Sequence, residues 1–437
     1  MEIKNNHQQD RIVALLRQGE TAAADLRIGM EMEHVVVDAQ TLESVNYYQE
    51  KGIEAILKQL IPKGYDPIYE DEHVVGLRHP EYVITLEPGG QLEISIDPSD
   101  ELEVIYRRYW TFLHHLIPVL ETQGQWLLAV GYHPRTSIHD IPFNPKKRYR
   151  YMSEYFQQTG RYAHYMMKGT ASLQVIVDYI DQTDFIEKFR VAHFLMPFLA
   201  LLTDNAPYFE GEPAQQVSMR TAIWDETDPA RCGLIPGVMD TEFGYQAYAD
   251  YILRTPPILV QQGHTYRGTG DMPAAALEGL ENFTDEEADH LLSMVFPDVR
   301  VRRYIEIRMA DSLPLPLSFG FAALVKNLFY REASLHYLYH LSQGMSDARL
   351  NQLRHDMQHQ GYQARFGGTT CQQMLLTLLD LAKQEATARE LAWLGHLENL
   401  VVNQETPAAY SRRRVAEDGW QGLEWCAAHQ WTEEETM

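Results

Sequence analysis

Five glutamates sit inside the most β-like stretches of this chain, although glutamate is a poor strand former. In Arg27–Val37, RIGMEMEHVVV, two-residue alternation puts Glu31 and Glu33 on one face and Met30, Met32 and His34 on the other. In Val83–Ile96, VITLEPGGQLEISI, two apolar runs flank Pro88-Gly89-Gly90, a hairpin signal, with Glu87 ending the first strand and Glu93 early in the second. In Thr170–Asp178, TASLQVIVD, Gln174 and Asp178 share a face opposite Leu173, Val175 and Val177. In Arg303–Asp311, RYIEIRMAD, Glu306 and Arg308 share a face opposite Ile305 and Ile307.

Any one of these segments reads equally well as the solvated face of an amphipathic strand. Together they read differently. Two carboxylates 4 Å apart repel by about 4 kcal/mol at an effective dielectric near 20, so a wall of five needs counter-charge. Hard divalent cations take carboxylate oxygens, and Mg²⁺ commonly links them to phosphate. Without an HExxH pair or a Cys/His cluster, zinc is a poor candidate. Arginine grips carboxylate and phosphate with two parallel bonds, which suits Arg220 in SMRTAIW and Arg308 to two anions. Lys147, in NPKKRY, reads as a solvated turn residue, and His34 as a packing or hydrogen-bonding group. Gly268-Thr269-Gly270 reads as a loop, and Cys232 has no identifiable activating partner.

The elements that must position these groups follow from periodicity. Helical spacing predicts a helix over Glu101–Glu121 and another over Phe185–Leu202, kinked or broken near Pro197. From Ser318 onward the pattern is almost wholly helical. The reading is an α+β catalytic core (1–317) with antiparallel strands, and a helical C-terminal part (318–437) packed on it rather than folding alone. The 437 residues can bury a large core, and the formal charge of −24, from 61 acidic and 37 basic residues, argues against nucleic-acid binding. An anionic substrate must therefore meet metal ions or arginines at the site itself. No stretch is long and apolar enough to span a bilayer, and Met1–Glu20, with its short amphipathic run at Ile12–Leu16, lacks the apolar centre of a secretory signal. Cys232, Cys371 and Cys426 form no disulfide framework, so a reducing cytoplasm is expected.

In order along the chain, GMEMEH, LEPGGQLEIS, NPKKRYRYM, TASLQVIVD, SMRTAIWDETDPAR and FPDVRVRRYIEIRMAD resemble the glutamate–cysteine ligases of the plant, proteobacterial and actinobacterial type, from about Ile28 to Tyr330. The resemblance implies a glutamine synthetase-like fold, a curved antiparallel sheet forming a funnel around the metals. It implies Mg²⁺, two or more ions with Mn²⁺ as a substitute, held by Glu31, Glu33, Glu87, Glu93, Gln174 and Glu306. By the same carry-over Arg308 meets the transferring phosphate and, with Glu87, is catalytic; Arg220 and Trp224 bind glutamate; and Lys146 and Arg148 match a substrate-binding motif. The chain departs from plant members at Lys168-Gly169, Ala171 and Ile176, nearer to the actinobacterial branch.

The implied activity is ATP-dependent formation of γ-glutamylcysteine through a γ-glutamyl phosphate, the first step towards glutathione or a related thiol. The expected partners are the small molecules glutamate, cysteine and ATP, with no nucleic acid and no membrane; oligomeric state is not legible. Three other readings stay open at this level: a related γ-glutamyl ligase with another amine acceptor, a two-metal hydrolase that turns over without ATP, and a non-catalytic nucleotide binder.

Overall fold

The alternating segments build one sheet. In the computed structural model, which describes residues 6–262, 265–277 and 284–431, β1 (Ile28–Asp38) lies inside a nine-stranded sheet. The other strands before residue 200 are β2 (Asp66–Glu70), β3 (His73–His79), β4 (Tyr82–Leu86), β5 (Leu92–Ser99), β6 (Gln125–Leu128) and β7 (Ser172–Val177). The order runs Val299–Val301, Ile305–Asp311, β7, β1, β5, β4, β3, β2, with β6 also paired to β1. Every pairing in it is antiparallel, as the sequence pattern predicts. A bulge interrupts the last ladder: Ile307 opposes Val175 but Ala310 opposes Leu173, so Arg308 and Met309 occupy one extra residue.

Helices flank the sheet, some packed on its apolar face and others bordering the opposite one. They are α1 (Asn6–Arg17), α2 (Ile53–Leu60), α3 (Leu102–Gln123), α4 (Lys147–Phe156), α5 (Ala163–Gly169), α6 (Gln182–Leu202), α7 (Met219–Asp225), α8 (Tyr245–Arg254) and α9 (Asp285–Ser293). After the sheet come α10 (Leu315–Phe329), α11 (Glu332–Ser342), α12 (Asp347–Gln360), α13 (Cys371–Lys383), α14 (Ala388–Val402) and α15 (Pro407–Asp418). The amphipathic run Ile12–Leu16 is the buried stripe of α1; residues 1–5 lie outside the described part. The predicted helix near Glu101–Glu121 is α3, ended by Gly124 in the left-handed conformation.

Pro197 does not break its helix. α6 continues to Leu202, and packing explains why: nearly every residue from Phe185 onward is buried, which outweighs the lost backbone bond. Met30, Met32, Leu173, Val175 and Val177 enter the core from one face of the sheet, together with residues of α3, α6 and α10. Burying each such side chain contributes about 1.5–3 kcal/mol relative to exposure. The opposite face is left free to carry charge.

Candidate active site

Register brings the acidic residues together. β1 and β5 pair with Glu33 directly across from Glu93, and β1 and β7 pair with Glu31 across from Gln174. Like charges facing each other across a ladder destabilise it, so this arrangement is not explained by sheet stability. Glu87 arrives from the hairpin tip between β4 and β5. Gly90 there has φ +92°, and a Cβ on Gly89 would stand 2.5 Å from the Lys168 carbonyl oxygen, so each glycine of LEPGGQ has its own steric reason.

The NPKKRY segment fixes that tip. Asn144 Nδ2 donates to the Glu87 carbonyl at 2.8 Å, and Lys146 Nζ and Tyr149 Oη both donate to the Leu86 carbonyl at 2.8 Å.

These residues surround a cavity of about 250 Å³. Its lining includes Glu31, Glu33, Glu87 and Glu93, the arginines Arg148, Arg220, Arg300, Arg302 and Arg308, and an apolar portion of Trp224, Phe296, Met152, Met166 and Met167. Wider clefts exist, one of about 1030 Å³ beside Cys232, but none of the acidic strand residues lines it.

Burial raises the Glu31 carboxyl to about 8, helped by the neighbouring charges of Glu93 and Glu306. Burial likewise raises Glu87 to about 8, reinforced by Glu93 and Glu33. Glu33 is also raised by burial, although Arg220 and hydrogen bonds from Ser172 pull the other way. Glu306 behaves oppositely: burial would raise it, but Arg300 and Arg308 outweigh that and hold it below the ordinary range.

Arg220 and Trp224 lie one turn apart on α7, and the guanidinium sits 5.4 Å from the indole centroid. Both are buried, at 5% and 8% exposure, so Arg220 is no surface arginine. Arg220 Nη1 and Trp224 Nε1 have no hydrogen-bond partner among the described residues. Arg220 Nε donates to the Arg308 carbonyl at 3.3 Å, and Arg308 Nη1 donates to Gln174 Oε1.

Eight of the residues singled out from sequence therefore meet at one cavity: Glu31, Glu33, Glu87, Glu93, Arg148, Arg220, Trp224 and Arg308. Three do not line it. Glu306, expected as a metal ligand, is bonded to Arg300 and lies 3.5 Å from Arg308. Gln174 is shared between Arg308 and Glu33. Lys146, expected at the substrate, caps a backbone carbonyl, because buried ammonium needs an acceptor and Leu86 offers one. No three carboxylate, imidazole or thiolate groups among the described residues stand close enough to enclose a cation. The donor set still fits a hard divalent ion: it is all oxygen, and Glu31 and Glu87 are buried without adequate counter-charge.

Other expectations are met. His34 bonds to Tyr109 Oη at 2.8 Å, Lys147 pairs with Asp71 on the surface, and burial pushes the Cys232 thiol well up, leaving it unreactive. Sequence reasoning missed Arg300 and Arg302. Their signal was available, since VRVRR alternates basic and apolar residues just before Glu306.

Comparison with known proteins accords with this geometry. The sequence profile of glutamate-cysteine ligase family 2 (GCS2) matches residues 27–430, and the chain belongs to that family. It is 31% identical over 414 residues to the chloroplastic glutamate–cysteine ligase B of Oryza sativa subsp. japonica, covering 92% of this chain and 82% of the rice protein. The chloroplastic enzyme of Arabidopsis thaliana is also 31% identical, with 92% of this chain and 78% of its own length covered. The crystal structure of the Francisella tularensis glutamate–cysteine ligase in complex with AMP superposes with a TM-score of 0.57 at 12% identity, over 95% of this chain and 91% of that one, a likeness of fold. No helix among the described residues is long and apolar enough to cross a membrane.

Proposed function

We propose that this cavity is where the chain, as an ATP-dependent carboxylate–amine ligase, joins the γ-carboxyl of glutamate to the amine of cysteine, releasing ADP and phosphate. The observation that carries glutamate at this site is the pair of buried donors on α7, Arg220 Nη1 and Trp224 Nε1, both unpartnered among the described residues at the cavity. A buried guanidinium N–H left without an acceptor is costly, and a substrate carboxylate supplies one.

A carboxylate is a poor acyl donor, so ATP first phosphorylates it and the amine then displaces phosphate from the acyl phosphate. Arg220 and Trp224 orient the glutamate. Arg308, fixed by Glu306 and Gln174, stands ready for charge redistributed on the transferring phosphoryl group. Arg148, at the exposed rim, meets the substrate anions as they enter. The apolar wall of Trp224, Phe296 and the three methionines keeps water from the reactive intermediate. Glu31, Glu33, Glu87 and Glu93 would hold Mg²⁺, or Mn²⁺ in its place; bound there, the ions neutralise phosphate charge. Glu306 acts as counter-charge to Arg300 and Arg308, and Lys146 holds the tip that carries Glu87. Three free thiols suit a reducing compartment such as the cytoplasm.

The test is ADP release with ATP and Mg²⁺, omitting glutamate and cysteine in turn. The full rate is expected only with both present, and other amines should serve poorly in place of cysteine. Turnover without ATP, or a rate indifferent to glutamate, would sink the reading.

A further inference from the structure

Arg354 lies on α12, far along the chain from every residue of the cavity wall. We propose that it is a positioning residue for the site: its guanidinium ties together the two elements that carry Arg220 and Arg308. This rests on the assignment of Arg220 and Arg308 given above.

The bonds form a closed circuit. Arg354 Nη2 lies 2.6 Å from Asp225 Oδ1 and 3.3 Å from Asp298 Oδ2. Asp225 is the last residue of α7, the helix that bears Arg220 and Trp224. Asp298 directly precedes the Val299–Val301 strand, and its carbonyl accepts the Arg308 backbone N–H at 2.9 Å. The Arg308 carbonyl in turn accepts from Arg220 Nε at 3.3 Å. From Arg354 the path therefore runs through Asp298, Arg308 and Arg220 to α7 and Asp225, and back to Arg354.

Arg354 and Asp298 are 9% and 7% exposed, so their pair is largely withdrawn from water. Neither aspartate makes another ion pair among the described residues. Removing one partner of such a buried pair leaves an uncompensated charge, and the neighbouring elements must move to rehydrate it. A shift of about 1 Å at α7 is enough to spoil the alignment of a substrate clamp. The helical C-terminal part thus contributes to the geometry of the site without touching substrate.

The test compares Arg354→Gln, Arg354→Lys, Asp225→Asn and the double variant Arg354→Gln/Asp225→Asn, with Arg220→Lys as the reference. Each is measured for kcat, for KM of glutamate and of ATP, and for melting temperature. Arg354→Gln should raise, by about tenfold, the same KM that Arg220→Lys raises. Arg354→Lys keeps the charge and should recover part of that loss. Adding Asp225→Asn to Arg354→Gln should change KM less than Asp225→Asn does alone.

The proposal is overturned if Arg354→Gln lowers the melting temperature while KM and kcat per folded molecule stay within twofold of wild type. Should Arg354→Gln not fold, the lysine variant and Asp225→Asn decide: an unchanged KM in both overturns it. If Arg220→Lys moves only the ATP constant, the glutamate assignment fails. The clamp stands even then, provided the Arg354 variants move that same ATP constant, and falls if they do not.

Discussion

Among the glutamates that line the cavity, Glu31, Glu33, Glu87 and Glu93 make no ion pair among the described residues; among its arginines, Arg300 is bonded to Glu306, Arg302 to Asp289, and Arg308 to Gln174. These three arginines are held by protein partners before any ligand arrives. The four carboxylates are held in a costly arrangement by backbone register and by the locked hairpin tip. Fixed charges that need no reorganisation act on a transition state, whereas uncompensated ones act as a binding site for something of opposite sign. Leaving the four carboxylates unpaired while the arginines have partners of their own lets one cavity do both. Pairing the two sets with each other would give a more stable protein with nothing left to bind.

The largest effect should come from breaking the arginine set. Arg308→Ala removes a preorganised donor and should lower kcat about a hundredfold to a thousandfold, with little change in KM for glutamate or cysteine. The competing outcome is a drop in melting temperature with near-normal activity per folded molecule, which would make Arg308 only the partner of Glu306. Arg220→Lys should come next. It keeps the charge but loses the planar fork, and should raise the glutamate KM about tenfold or more while the ATP KM stays.

The smallest effect tests the carboxylates, through stability rather than rate. Glu31 and Glu87 are raised in the folded state to about 8, so the folded protein holds protons that the unfolded chain releases at ordinary carboxylate pH. Their contribution is full below that ordinary value and is lost as pH rises towards 8. Chelator-treated protein should therefore melt progressively lower between about pH 5 and pH 8. Glu87→Gln should flatten that slope, stabilise the cation-free protein at pH 8 by about 1 kcal/mol, and shrink the rise in melting temperature on adding Mg²⁺. If the slope is unchanged in Glu87→Gln, Glu87 is not uncompensated; the part due to Glu31 remains in either case.

What the sequence made legible was parity. Two-residue alternation placed Glu31 and Glu33 on one face and Met30 and Met32 on the other, and both faces are as expected. The hairpin at Pro88-Gly89-Gly90 was legible because only particular residues tolerate that turn. What could not be read was partnership. Glu306 looks like its neighbours in sequence, yet Arg300, across the ladder, takes its carboxylate. Lys146 sits in a motif that suggests ligand contact, but whether an ammonium finds a substrate or a carbonyl is decided by tertiary distance. Arg354 was invisible for the same reason: a single arginine in a polar helix carries no pattern, and its two aspartates are 129 and 56 residues away.

The bulge at Arg308–Met309 has a consequence for anyone who edits this strand. Two-residue counting holds up to Ile307 and changes sense beyond it, so Ala310 rather than Met309 stands opposite Leu173. Deleting either bulge residue would leave a regular ladder in which Ala310 still stands opposite Leu173, at the cost of the extra residue that sets how Arg308 leaves the strand. An alignment gap placed here is therefore not a neutral choice. Left out, it assigns Ala310 and Asp311 to the wrong side of the sheet, and a variant library built on it would mutate the core while meaning to sample the cavity.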